Sequence, residues 1–460
     1  MTISWIIPHF LPTVGFLLAL ILLLHLLKEQ RSPSSTIAWV LAIILIPYAG
    51  VPLYIIFGGR KMKKMTGEKV IRHARQDLFD GESRSPDAYK VDSTLFPPRD
   101  GNRLQLLLTG EDAYSHLMQS IAAARTSIYS TTFILGSDDT GKTIIESLAG
   151  KAREGLEVFL LLDALGSGGI TERFLSDFRA AGGRYAFFMP MLHVPFRGRA
   201  NLRNHRKMVL IDGRLAIIGG MNLAGEYLGD IPDSTRWHDL SLAVRGPVVD
   251  DLMAVFQSDW KFATKEDIPF HGEEEPTGDR DDATTLQLVP SGPDVAGDPL
   301  YDTVLTSLFT ARQRIWIVTP YFIPDEMLVK ALCIAAHRAV DVRIVVPRKS
   351  NHRLADLVRR NYLRQIQVAG AQVYQFAPGM LHGKIILIDE SPAIVGSMNM
   401  DMRSFFLNYE IALFIHSKSI VAQLESWIGG LMEESETGIK GASVFMDYAG
   451  GLTRLLAPLL

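Results

Sequence analysis

The sequence predicts an α/β fold: two duplicated domains, each a sheet flanked by helices, meeting at one active site and preceded by two transmembrane helices. Three observations predict it. Strand-like and helix-like segments alternate from Asn102 onward. The alternation recurs in the second half of the chain with the same short polar motif. The first sixty residues hold two long stretches without a charged side chain.

The N-terminal stretches come first. Ile3 to Leu27 contains no Asp, Glu, Lys or Arg, although Pro8, His9 and Pro12 interrupt its start, and Thr36 to Phe57 is equally free of charge. Each suffices for a bilayer's apolar core of about 30 Å. A cleaved signal peptide is disfavoured for the first, because no Lys or Arg precedes it and no small-x-small site stands before the second. Pro47, Gly50 and Pro52 leave a kinked or re-entrant path open beside a full span for the second. Lys28 and Arg31 lie between the stretches, whereas Arg60, Lys61, Lys63 and Lys64 follow them. The denser cluster places the chain after residue 60, and with it the N-terminus, in the cytoplasm. It also suits anionic headgroups, each cation adding about 1 kcal/mol near the surface.

Beyond this anchor (1–64), residues 65–98 read as a connector ending in Phe96-Pro97-Pro98. In the first domain (99–264), Leu104–Leu108 reads as strand, Ala113–Ala124 as helix, Ser127–Leu135 as strand, Thr143–Arg153 as helix and Leu156–Leu162 as strand. The second domain (298–460) repeats the rhythm. Asp302–Arg312 reads as helix, Ile315–Thr319 as strand, Met327–Arg338 as helix and Val342–Val346 as strand. Between the two, roughly 265–297 is acidic and Pro/Gly-containing and reads as a surface linker. The apolar residues 451–460 are too short to span, and both a membrane-surface and a domain-packed position stay open.

The motif stands once in each domain. His205-x-Lys207-x4-Asp212 is followed by Gly219, Gly220 and Asn222, and His382-x-Lys384-x4-Asp389 by Gly396, Ser397 and Asn399. Each runs into an apolar, β-prone stretch (Met208–Ile211, Ile385–Ile388), so His and Lys two apart share one face of a strand. Asp212 and Asp389 lie an odd number of residues further on, at the strand end, and read as supporting residues rather than proton carriers. A returning strand (Leu215–Ile218, Ala393–Val395) brings Asn222 or Asn399 near the pair.

One His, one Lys and one Asn per copy make half a site; two halves suit a phosphodiester. Lysines and amides hold the non-bridging oxygens, one imidazole attacks phosphorus and the other protonates the leaving alcohol. No metal and no cofactor is required. A nucleophilic imidazole needs its far nitrogen held, usually by a carboxylate. Each copy offers one downstream: Asp239 after His205 and Glu410 after His382.

Composition narrows the substrate. Net charge is −3, so there is no global basic field for nucleic acid, and aromatic-basic interleaving is lacking. A single cysteine, Cys333, excludes an internal disulfide. The basic run Arg197, Arg199, Arg203, Arg206 and the apolar Pro378–Leu381 at the matching place read as two rims of the site, one for anionic lipid and one for acyl chains.

At these motifs the chain resembles the phospholipase D superfamily. The stretches His382-Gly383-Lys384, Gly396 to Ser404, Leu407 to Glu410, Thr319 to Pro324, Pro347-Arg348-Lys349 and Asn204 to Met208 are similar to bacterial cardiolipin synthases. The resemblance implies phosphatidyl transfer between two phosphatidylglycerol molecules, giving cardiolipin and glycerol, by a multi-pass enzyme of the bacterial cytoplasmic membrane. It implies His205 as nucleophile, His382 as acid then base, and Lys207, Lys384, Asn222, Asn399 and Ser397 as phosphate binders. Gly220 stands where the family often has Ser. A lipid-hydrolysing phospholipase D would use the same residues, and the anchor and full-length resemblance favour the synthase.

Overall fold

The computed structural model describes residues 20–24, 26, 33–57, 96–190, 202–268, 283–295 and 297–439. Most of the first hydrophobic stretch, the Arg60–Lys64 cluster, Arg197, Arg199, the acidic 273–282 and the C-terminal 451–460 lie outside them. The second hydrophobic stretch is two helices, Pro33–Leu45 and Pro47–Phe57, in place of one 22-residue span. Pro47 disfavours helical geometry at Ile46 and itself sits well at a helix start. Gly50 permits the sharp return, since a Cβ there would lie 2.1 Å from Ala42 O. Trp39 packs edge-on against Tyr54 at 5.3 Å. Among the described residues no helix is long and apolar enough to cross a membrane.

The first half contributes strands β1 (Arg99–Leu107), β2 (Ser127–Thr132), β3 (Glu157–Asp163), β4 (Arg184–Phe188), β5 (Met208–Ile211), β6 (Leu215–Gly219) and β7 (Ser241–Arg245). The second contributes β8 (Thr284–Ser291), β9 (Arg314–Val318), β10 (Phe322–Ile323), β11 (Asp341–Pro347), β12 (Gln372–Phe376), β13 (Ile385–Ile388), β14 (Ala393–Gly396), β15 (Met400–Asp401), β16 (Glu410–His416) and β17 (Ser435–Thr437). All but β10 and β15 join one sheet. Outward from its centre, one side runs β1-β7-β6-β5-β2-β3-β4 and the other β8-β16-β14-β13-β9-β11-β12, with β17 outermost. The orders match strand for strand, so the sequence repeat folds as two halves about a pseudo-twofold axis at the β1–β8 seam.

Strand β8 lies inside the segment read as linker, which is a correction. Thr284-Thr285-Leu286-Gln287-Leu288-Val289-Pro290-Ser291 pairs with both β1 and β16 and is almost wholly buried. Its Thr and Gln content and its acidic approach hid a strand whose two faces are both covered. One layer of helices, Val248–Thr264 and Lys418–Glu433, packs on a core shared by both halves. On the other face each half keeps its own core, under Gly110–Ala123 and Asp139–Arg153 in one and under Pro299–Thr310, Glu326–His337 and Arg353–Val368 in the other.

The motif aspartates terminate the first strand of each hairpin. Asp212 and Asp389 adopt left-handed geometry, at φ 53° and 50°, which Asp tolerates better than most side chains. Asp212 accepts the backbone N–H groups of Arg125, Thr126 and Ser127 at 2.8–3.1 Å. Asp389 does the same for Arg312, Gln313 and Arg314 at 2.7–3.1 Å. Each carboxylate thus ties its hairpin to the strand beside it, β2 or β9. Asp212→Ala should lower unfolding free energy by about 1.5–3 kcal/mol, the range for hydrogen bonds to a charged acceptor. Urea denaturation followed by tryptophan fluorescence checks this; an unchanged midpoint would remove the carboxylate's anchoring role.

Candidate active site at the seam

The motif segments reach the seam as extended chain. His205-Arg206-Lys207 leads into β5 and His382-Gly383-Lys384 into β13, so the His/Lys pairs precede the strands on which the spacing placed them. Their backbone is taken by the opposite half. Tyr409 N donates to Arg203 O and His205 N to Tyr409 O, both at 2.9 Å. His238 N donates to Met380 O at 2.8 Å, and His382 N to His238 O at 2.7 Å. Two bridges, Asn204 with Tyr409 and His238 with Leu381, therefore cross the seam reciprocally.

The residue after each bridge is a carboxylate. His205 Nδ1 lies 3.0 Å from the Glu410 carboxylate and 3.1 Å from Ser397 O. His382 Nδ1 lies 2.6 Å from Asp239 Oδ2. Each imidazole is held by the other half, whereas sequence order offered each a carboxylate in its own copy. With Nδ1–H committed to a carboxylate, Nε2 is the nitrogen left for chemistry. Lys207 Nζ donates to His205 O at 2.7 Å, and Lys384 Nζ donates to His382 O. Lys384 Nζ also stands 2.7 Å from His382 Nδ1 and 3.2 Å from its Nε2. His382 Nδ1–H donates to Asp239, so the ammonium's hydrogen bond goes to the carbonyl.

Burial governs the charges. It pushes His205 down to about 4, against the pull of Glu410. Burial also holds His382 well below the ordinary imidazole value, with repulsion from Lys384, Lys207 and His205 added. Lys207 falls to about 7 and Lys384 to about 8, again by burial first, and the two ammonium groups repel each other across the site. Burial raises Asp239 to about 6 against the pull of Lys384. It acts in the same sense on Glu410, but His205, Lys207 and Ser397 outweigh it and leave that carboxyl below its usual value. Two neutral imidazoles and two destabilised ammonium groups form a site that an arriving anion would relieve.

Aromatic rings complete the walls, and sequence reasoning missed them. Phe133 stands edge-on to His205 at 5.1 Å, and Tyr227 and Trp237 meet His382 at 5.1 and 5.2 Å. Trp237 carried a signal, lying two residues before Asp239 in extended chain; Phe133 and Tyr227 carried none.

Three residues read as phosphate binders are engaged elsewhere. The Ser397 hydroxyl, fully buried, donates to Glu410 and accepts Ile411 N at 3.1 Å. Asn222 Oδ1 accepts Ile134 N at 3.1 Å, fixing the chain that carries Phe133. Asn399 hydrogen-bonds the Asp401 carboxylate, and its Oδ1 is buried without a partner. Ser397 thereby fixes Glu410, and Asn222 fixes the wall that carries Phe133. The basic rim is corrected too. Arg203 and Arg206 are buried, 2% and 0% exposed. Arg206 meets Asp259 at 2.6 Å and donates to Ser291 O at 3.0 Å and Glu410 O at 3.2 Å, while Arg203 donates to Met189 O at 3.1 Å. Of the apolar rim, Leu381 is fully buried.

Gly220 has a steric cause. A Cβ there would lie 2.3 Å from Asp239 Oδ1, so the serine of the second copy has no room in the first.

Residues 117–260 and 304–432 match the family model described as "Cardiolipin synthase, PLD-like domain", and residues 17–59 match one described as "Phospholipase D-nuclease N-terminal". The chain is 31% identical to a cardiolipin synthase of Halalkalibacterium halodurans, over 94% of this chain and 90% of that one. It is 33% identical to the major cardiolipin synthase of Bacillus subtilis, over 93% and 92%. Its fold superposes on the crystal structure of phosphatidylserine synthase from Haemophilus influenzae with a TM-score of 0.62, at 16% identity, covering 78% of this chain and 95% of that one.

Gly220→Ala should displace Asp239 from His382. A misplacement of about 1 Å costs about 100-fold in rate. The measurement is turnover of a phosphodiester lipid, with circular dichroism to confirm folding; full activity in a folded Gly220→Ala protein would refute the steric account.

Proposed function

The chain belongs to the family of phospholipase D-like cardiolipin synthases, and on that premise we propose that it is a phosphatidyltransferase joining two phosphatidylglycerol molecules into cardiolipin and glycerol. The observation that carries this reading is the crossed pair of half-sites, each imidazole held by the opposite half's carboxylate. Nε2 of His205 attacks phosphorus of the first lipid. The bond to the glycerol oxygen breaks, and that oxygen takes a proton from His382. A glycerol hydroxyl of a second phosphatidylglycerol returns a proton to His382 and attacks phosphorus, and the phosphorus–nitrogen bond to His205 breaks. Lys207 and Lys384 neutralise the non-bridging oxygens. His382 is neutral in the empty site; the lipid's negative charge restores the imidazolium, and Asp239 holds its orientation. Ser397, Asn222 and Asn399 act as positioning residues, and Asp212 and Asp389 as hairpin anchors.

The organisation that goes with this chemistry is an anchor over 1–64, a connector over 65–98, and catalytic halves over 99–264 and 298–460 on the cytoplasmic side of the membrane. The two charge-free stretches, the flanking cations and the match over 17–59 support it. The partners are phosphatidylglycerol and other anionic lipids of that membrane; nucleic acid is not among them.

The test is purified protein in phosphatidylglycerol vesicles without divalent metal, with products read by mass spectrometry. Cardiolipin and glycerol are expected, with loss in both His205→Ala and His382→Ala; phosphatidic acid as the product would make water the acceptor and replace this reading with a hydrolase. The pH profile is a second test. The value of kcat/KM reports the free enzyme. His205 is neutral above about 4, so its acid limb should lie near pH 4. His382, the acid of the first step, is held well below the ordinary imidazole value in the free enzyme, and Lys207 and Lys384 lose their protons near 7 and 8, so kcat/KM should already fall on the acid side of neutrality and continue falling through that range. A rate still rising through pH 9 would contradict the lysines' role.

A further inference from the structure

A basic groove opens in the second half of the fold. It lies between the start of helix Arg353–Val368 and the carboxyl ends of β11 and β12, with a volume of about 420 Å³. Arg348, Lys349, Arg353, Arg359 and Arg360 line it, five cations against two carboxylates. Both carboxylates are engaged: Arg348 meets Glu436 at 2.6 Å, and Arg359 meets Asp356 at 2.9 Å. Among the lining residues cations therefore outnumber carboxylates five to two.

That surplus is costly where it stands. A helix start carries the positive end of the peptide dipoles and favours acidic side chains. Here Arg353 opens the helix, with Asp356 the acidic residue of the first turn and Arg359 and Arg360 one turn further on. An anion seated among the cations removes the repulsion and meets the helix terminus favourably. The place is also where open α/β sheets take ligands, because β9, β11 and β12 run parallel and end at it.

A short relay of contacts links the groove to the segment that carries Asn399. Buried Arg359 donates to Pro347 O at 2.5 Å and Pro320 O at 3.4 Å. Beside Pro320, Thr319 Oγ1 accepts the N–H of Met400, the residue after Asn399, at 3.2 Å. The fold does not demand these charges: in the first half β3 is followed by Ala164-Leu165-Gly166, with Leu165 49% exposed. Beside Arg353, Leu354 is 42% exposed, and an aliphatic side chain next to cations suits a lipid interface better than dissolved phosphate.

We propose that this groove binds the phosphate of an anionic phospholipid headgroup, a molecule other than the one under attack, and retains it on the second half of the fold. The proposal deepens the phosphatidyl-transfer reading and rests on it for its kinetic assay. Full-length protein in nonionic-detergent micelles would be assayed over a range of phosphatidylglycerol mole fraction. A cation near an anionic surface is worth about fivefold in affinity, equivalent to about 1 kcal/mol. Lys349→Gln should raise the half-saturating mole fraction about fivefold, and Lys349→Gln/Arg353→Gln further, with maximal rate unchanged. Independently, acylation of Lys349, read by peptide mass spectrometry, should be slowed by phosphatidylglycerol micelles and not by phosphatidylcholine micelles. Slowing by inorganic phosphate alone would overturn the lipid assignment. An unaltered half-saturation in the active double variant would overturn the site. If the unsubstituted chain made no cardiolipin, the functional reading would fail while acylation still judged the groove.

Discussion

The crossed histidine–carboxylate pairs are the constraint on which the rest of this structure depends. Glu410 and Asp239 are 0% and 1% exposed, and each finds its imidazole only in the other half. A buried carboxylate that loses its partner costs several kcal/mol. Neither half is therefore electrostatically complete alone. The continuous sheet through β8 and β1, the two reciprocal backbone bridges and the Arg206 contacts to Asp259, Ser291 and Glu410 all hold the halves in the one register that satisfies both pairs.

Burial does double duty at this site. It keeps the imidazoles neutral, which a nucleophile requires, and it destabilises the lysine ammonium groups until an anion arrives. The rings of Phe133, Tyr227 and Trp237 sustain that low-dielectric environment by covering the imidazole edges.

The two halves are duplicates in fold and unequal in detail. Gly220 yields its space to the short Asp239, while the matching Ser397 reaches the longer Glu410. Arg206 clamps the first motif, and its counterpart Gly383 lies against Trp427, with a Cβ there only 3.2 Å from the indole. Asp239 is raised by burial whereas Glu410 is lowered by its contacts, so the two imidazoles answer to different carboxylates. Such inequality suits the proposed two-step transfer, in which one imidazole bonds to phosphorus and the other moves the proton.

The α/β rhythm, the duplication and the His/Lys pairs were legible in the sequence by itself, because strand and helix periodicity and motif spacing are local properties. Strands at 104–108, 156–162 and 342–346 and helices at 143–153 and 327–338 each fall within about five residues of the observed element ends. Strand β8 was not legible, since its polar residues are satisfied by neighbours far along the chain. Nor was the burial of Arg203 and Arg206, whose charge reads as surface until Asp259 and the backbone carbonyls are brought to it. Above all, the exchange of carboxylates was decided by tertiary structure alone. His382 and Asp239 are 143 residues apart, and His205 and Glu410 are 205 apart. Only the pseudo-twofold closure of the sheet makes them neighbours, and no local pattern encodes a contact across that axis.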